Sequence, residues 1–231
     1  MKTIGLLGGM SWESSLEYYR IINQLVKERL GGLHSAKCLL YSVDFQEIES
    51  LQHRGLWDEA GRLLGEAARG LQKGGADFLL ICTNTMHKVA PVVQQHISMP
   101  LLHIADPTAK SVLSRGIRKI GLLGTRFTMQ EDFYKGKLVH DHGLEVLTPI
   151  DADMDMIHQV IFDELVLGLI KDISKGKYIA VIKRLEAAGA EGVILGCTEI
   201  GLLVKDQDSP IPLFDTTFIH AEAAVEYALT T

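Results

Sequence analysis

The sequence predicts an α/β protein made of two doubly wound parallel-sheet domains, duplicated flavodoxin-like units related by a pseudo-two-fold axis. Three observations carry this. First, segments recur in order at a nearly constant offset. Ile4-Gly5-Leu6-Leu7-Gly8 returns as Ile120-Gly121-Leu122-Leu123-Gly124, offset 116. The run ending Ile81-Cys82-Thr83 returns as Leu195-Gly196-Cys197, offset 114, and Pro100 returns as Pro212, offset 112. Second, short solid apolar runs, as expected of strands buried on both faces, alternate with helical patterns. Third, the runs end in small or polar residues, and a doubly wound sheet binds its ligands at those ends.

In chain order, strands are expected near 3–8, 37–43, 77–82, 100–103, 118–123, 143–147, 191–196 and 211–214. Helices are expected near 12–30, 56–74, 86–96, 105–115, 128–141, 153–172 and 176–188. The stretch 58–73 is the clearest helix, with Ala60, Leu63, Leu64, Ala67, Ala68 and Leu71 at helical spacing. Gly74-Gly75 stops it, and Gly189 ends its counterpart. A last amphipathic helix from about Phe218 (Ala221, Ala224, Val225, Ala228) is expected to cross back onto the first domain. The first domain is therefore 1–105 plus 216–231, and the second 106–215.

Composition narrows the function. A chain of 231 residues, 47% hydrophobic and 23% charged, has ample material for packed cores. A net charge of −6 without a Lys/Arg block argues against a nucleic-acid partner. The apolar runs fall short of the roughly 18 residues of a membrane span, and Met1-Lys2-Thr3 runs directly into a strand rather than a signal peptide. Three widely spaced cysteines, Cys38, Cys82 and Cys197, fit reduced thiols in a cytoplasmic protein.

Among candidate sites, Gly5 to Met10 lacks the full dinucleotide spacing and reads as a tight strand-to-helix turn, with Met10 placed to touch a substrate. Cys197 ends an apolar strand and is followed by Thr198-Glu199, where N–H groups at a helix start favour a thiolate. In the first half the equivalent position is Thr83. Alternation along the strand sends Cys82 into the core, as it does Cys38 in its own strand, and leaves Asn84 and Thr85 as donors for a carboxylate. A one-residue register shift exchanges Cys82 for Thr83. The nine histidines, among them His34, His53, His87, His103 and His220, show no metal-ligand spacing.

The segments Ile4 to Met10, Asn84-Thr85-Met86-His87, Gly124-Thr125 and Gly196-Cys197-Thr198-Glu199 together resemble the aspartate/glutamate racemase family over essentially the whole chain. The likeness is strongest to its bacterial branch of broad-specificity and L-specific enzymes. The resemblance implies racemisation of a small amino-acid substrate held between the domains, without pyridoxal phosphate, other cofactor or metal, in a cytoplasmic homodimer. It implies that two groups on opposite faces of Cα exchange its proton, and that Asn84, Thr85, Thr125, Thr128, Thr198 and Glu199 hold the substrate. Two departures stand out. The family's first-half cysteine is Thr83 here, leaving Cys197 as the sole good base, which implies preference for L substrates. The positions at which aspartate racemases present basic residues to a side-chain carboxylate also differ: one falls near Gln52, with Arg54 close by in the loop Glu47 to Gly55, and the other around 161–171, at either Glu164 or Lys171. The side chain accepted, acidic or broader, stays open. An arylmalonate-decarboxylase-like lyase and a non-enzymatic small-molecule binding module are the alternatives.

Overall fold

The structure, a computed structural model, describes residues 1–230. The chain divides into two compact units, Met1–Ile104 with the segment from His220 onward, and Ala105–Ile219. Both are α/β with an all-parallel sheet.

The first unit runs β1 (Ile4–Gly8), α1 (Trp12–Leu30), β2 (Cys38–Ser42), α2 (Phe45–His53), α3 (Trp57–Lys73), β3 (Phe78–Ile81), a 3₁₀ turn (Thr85–Val89) and α4 (Ala90–Gln95). Its strands lie in the order β2-β1-β3, with Ile4 opposite Cys38 and Phe78. Strand residues alternate between two apolar clusters, because successive side chains leave a strand on opposite faces. Leu7, Leu79 and Ile81 join Leu64, Ala68 and Val93 on one side. Ile4, Leu6, Phe78, Leu80 and Cys82 join Tyr18, Ile22 and Val26 on the other.

The second unit runs α5 (Ala105–Ser114), β4 (Lys119–Gly124), α6 (Arg126–Gln130), α7 (Lys135–His140), β5 (Glu145–Leu147), α8 (Asp151–Asp163), a 3₁₀ turn (Leu165–Leu167), α9 (Asp172–Ala187), β6 (Val193–Gly196), α10 (Ile200–Leu203) and β7 (Leu213–Asp215). Its order, β5-β4-β6-β7, repeats that of the first unit and adds one strand. The final helix α11 (Thr216–Leu229) places Ala221, Ala224, Val225 and Ala228 in the first unit's second cluster, and Lys2 N–H donates to Ala228 O.

Four expectations need correction. The loop expected at Glu47 to Gly55 is largely α2, capped by the Asp44 side chain accepting from Gln46 N–H, and Gln52 sits on its last turn. The strand expected at 100–103 shrinks to a single bridge between Leu79 and Leu101. Pro100 has no N–H to give, and that of Leu101 goes to Gln94 Oε1 at 3.0 Å. The helix expected at 128–141 breaks into α6 and α7, with Glu131 extended and Tyr134 wholly buried in the break. The helix expected at 153–172 stops at Asp163, where Glu164 leaves the helical region (φ −131°) and its carboxylate takes bonds from Ser174 and Lys171.

Candidate active site

In the first unit the polar groups gather where β1 and β3 end. The turn after β1 needs Gly9: its φ is +90°, and a Cβ there would run into the backbone of Val43. Gly9 N–H donates to Ser15 Oγ at 2.8 Å, and Ser15 Oγ–H donates to Ser11 O at 2.9 Å. Ser11 caps α1 by accepting from Ser14 N–H, and Ser14 Oγ–H reaches across to Cys82 O at 2.8 Å. The first turn of α1 is thereby fastened to the end of β3.

Cys82 is fully buried in the apolar cluster beneath α1, and burial drives its thiol far above the ordinary range. It is a core residue. Thr83, one residue on, is half-buried, and its carbonyl accepts from His87 Nδ1–H at 2.8 Å. Asn84 and Thr85, 2% and 5% exposed, form the start of the 3₁₀ turn. Met10 lies in the first cluster with Met86. Buried Gln52 donates through Nε2 to Met86 Sδ at 2.9 Å, which brings α2 to the same turn. Cys38, on edge strand β2, is only partly buried.

In the second unit, Gly196 closes β6 so tightly against β4 that a Cβ would stand 2.8 Å from Leu123 O. Cys197 follows, and its Sγ–H donates to Glu199 Oε2 at 3.0 Å. Thr198 Oγ–H donates to the same oxygen at 2.6 Å. Burial first, then the Glu199 charge, push the Cys197 thiol well above its usual range, while N–H groups of Glu199 and Ile200 oppose this. The backbone donors expected from the sequence are present and favour a thiolate, and burial with the adjacent carboxylate outweighs them. Thr125 caps α6 by accepting from Thr128 N–H, and the two buried hydroxyls are 3.1 Å apart. Thr128 also packs against Gly124 and Gly196, tying α6 to the strand ends.

Neither Glu164 nor Lys171 is a free partner for a substrate carboxylate, for they pair with each other at 3.2 Å. Arg126, beside Thr125, pairs with Asp151 at 2.9 Å and with Asp155. Sequence reading missed the Glu199–Cys197 bond and the serines of α1. A carboxylate two residues after a cysteine is the one available signal for the first. Among the described residues, no three or more His, Cys, Asp or Glu side chains gather as a metal site, and no helix is long and apolar enough to cross a membrane.

A duplicated α/β chain carries a buried, hydrogen-bonded cysteine at one strand end and a threonine at the equivalent end of the other half. Residues 7–224 match the Asp/Glu/Hydantoin racemase family. The broad-specificity amino-acid racemase RacX of Bacillus subtilis (strain 168) is 25% identical over 96% of each chain. A crystal structure from Yersinia pestis, provisionally assigned as an Asp/Glu racemase, superposes with a TM-score of 0.92 at 56% identity over all of both chains. An aspartate racemase homologue from Pyrococcus horikoshii OT3 gives a TM-score of 0.85 at 36% identity, again over both whole chains. The protein is an isomerase of the racemase class, and it belongs to the Asp/Glu/Hydantoin racemase family.

Proposed function

We propose that the enzyme racemises amino acids without a cofactor, with Cys197 exchanging the α-proton on the face presented by L substrates and Thr83 serving the other face. The observation that carries this is the place of Cys197 at the end of β6, with its Sγ–H held on Glu199 Oε2 at 3.0 Å and the N–H groups of Glu199 and Ile200 beside the sulfur. An α-proton is far less acidic than a thiol, so its removal needs a carboxylate held by several donors. Asn84, Thr85, Thr125, Thr128 and Thr198 are buried side chains of the required type.

From the L side, the Cys197 thiolate forms S–H as Cα–H breaks, leaving the electron pair on Cα. Return of a proton through the Thr83 hydroxyl, or water beside it, gives the D product, and solvent restores both groups. A hydroxyl is a far weaker acid than a thiol, so return of a proton from the Thr83 face is slow. Most carbanions regain their proton from Cys197. The substrate is aspartate, glutamate or a broader set; the RacX likeness, the internal pairing of Glu164 with Lys171 and the Arg126 pairs favour the broader set. Three free cysteines suit a cytoplasmic enzyme. The exposed stripe Trp12, Leu16 and Tyr19 on α1 suits a second copy of the chain, as a homodimer.

The test is proton–deuterium exchange at Cα in D₂O over a panel of L- and D-amino acids, beside chiral analysis. Exchange of L substrate faster than its inversion is expected, with Thr83→Cys raising inversion and allowing exchange from the D side. Equal rates with no gain from Thr83→Cys would show that Thr83 is already an efficient second group. No exchange on any amino acid would end the racemase reading.

A further inference from the structure

Three histidines far apart in sequence meet beneath Thr83. His87 and His103 have ring centroids 4.5 Å apart, and those of His87 and His220 are 5.9 Å apart. His87 and His220 are almost wholly enclosed, at 1% and 0% exposed. Carbonyl oxygens only accept and amides only donate, so the partners assign both protonation patterns. His87 Nδ1–H donates to Thr83 O at 2.8 Å, and its Nε2 accepts from Ile104 N–H at 3.2 Å. His220 Nε2–H donates to Leu102 O at 2.9 Å, and its Nδ1 accepts from Tyr18 O–H at 2.8 Å.

The partners are informative in their positions. Ile104 is the last residue before the chain leaves the first unit, and His220 is the first on its return. Leu102 N–H makes the last bond of the Leu79–Leu101 bridge, to Leu79 O at 3.0 Å, and Ile104 lies two residues beyond it. One imidazole therefore joins the backbone of Thr83 to the departing segment just past its last ladder bond. The buried ring has both nitrogens occupied by backbone, so it has no proton to exchange with substrate. Its effect on chemistry must pass through Thr83.

We propose that His87 is a positioning residue for Thr83, its Nδ1–H fixing the Thr83 carbonyl and hence the reach of the Thr83 hydroxyl. The inference rests on the proposed function. Displacement of a reacting group by about 1 Å costs on the order of a hundredfold in rate, so a loosened Thr83 slows inversion without slowing proton removal at Cys197.

Two isosteric substitutions separate the bonds. His87→Asn keeps an N–H donor near the Nδ1 position and gives up the bond to Ile104. His87→Gln keeps an acceptor near Nε2 and gives up the bond to Thr83. In D₂O with L substrate, His87→Gln should lower the ratio of inversion to exchange by ten- to a hundredfold, and His87→Asn should keep that ratio within a few-fold of the parent. Backbone hydrogen exchange supplies a readout independent of turnover: residues 83–87 should lose protection in His87→Gln and keep most of it in His87→Asn. Equal loss of exchange and inversion in both variants, or equal protection of 83–87 in both, overturns the proposal. If the parent enzyme acts on no amino acid, the racemase reading falls, while the protection pattern still decides whether His87 fixes Thr83.

Discussion

At the scale of single residues, the cysteines at the two strand ends stand in unlike surroundings. Cys197 has a polar acceptor on its sulfur; Cys82 has only hydrocarbon and the underside of α1. Cys197→Ala should lower both exchange and racemisation by about 10²–10⁴-fold, the usual value of one acid/base group. Cys82→Ala and Cys38→Ser should retain activity, and a Cys82 variant as inactive as Cys197→Ala would exchange their roles. Glu199 sets a second test. Its charge disfavours the Cys197 thiolate, so Glu199→Gln should move the alkaline rise of L-substrate exchange to lower pH, whatever happens to the maximal rate. A rise moved to higher pH would mean that the carboxylate draws the thiol proton away rather than repelling the thiolate. That Cys82 turns into the core was legible in the sequence because a strand has period two, and the two clusters on either side of β3 follow that period residue by residue. The Glu199–Cys197 bond was not legible: sequence spacing does not say which way a side chain folds after a strand ends.

At the scale of elements, the strand-to-helix turns do the positioning. The turn from β1 into α1 is the tightest, because Gly9 combines a positive φ with backbone contact to Val43. Gly9→Ala should cost about 3 kcal/mol or more in urea unfolding, adding backbone strain to steric overlap. Gly31 also has a positive φ (+71°) but open space around it, so Gly31→Ala should cost only the backbone strain, about 2 kcal/mol. Similar costs at both positions would show that the Val43 contact relaxes at little expense. The long elements α1, α3 and β4 were readable from their apolar spacing and caps. The failures share one physical origin, a tertiary partner overriding a local pattern. Gln94 takes the N–H of Leu101, Ser174 and Lys171 draw Glu164 out of the helix, and Tyr134 turns inward between α6 and α7. Likewise α2 hides behind a mixed polar sequence whose buried residues, Ile48 and Gln52, are four apart, too few to mark a helical face.

At the scale of the whole molecule, the duplication is imperfect in a way that shapes stability. The second unit completes a fourth strand, β7; the first reduces the corresponding segment to one bridge and fastens it with histidines and α11. His220 is the most buried of those fasteners. Burial first, and then the neighbouring His87, push its pKa from the usual 6.5 down to about 3. The sign follows directly. A neutral imidazole is required in the fold, whereas the unfolded chain protonates it once pH falls below about 6.5, so the unfolded state binds more protons as the solution is acidified. The stability His220 gives is present above pH 6.5 and is lost as pH falls toward 3, at about 1.4 kcal/mol per pH unit once the unfolded imidazole is fully charged. Between pH 6.5 and 5 most carboxylates stay ionised, which isolates the histidines. His220→Gln preserves a donor for Leu102 O but cannot titrate. It should unfold at lower urea concentration than the parent at pH 7 and lose less of its midpoint between pH 6.5 and 5. Parallel midpoint curves for parent and variant would assign the acid sensitivity to other groups and leave His220 a fastener whose protonation does not govern the fold.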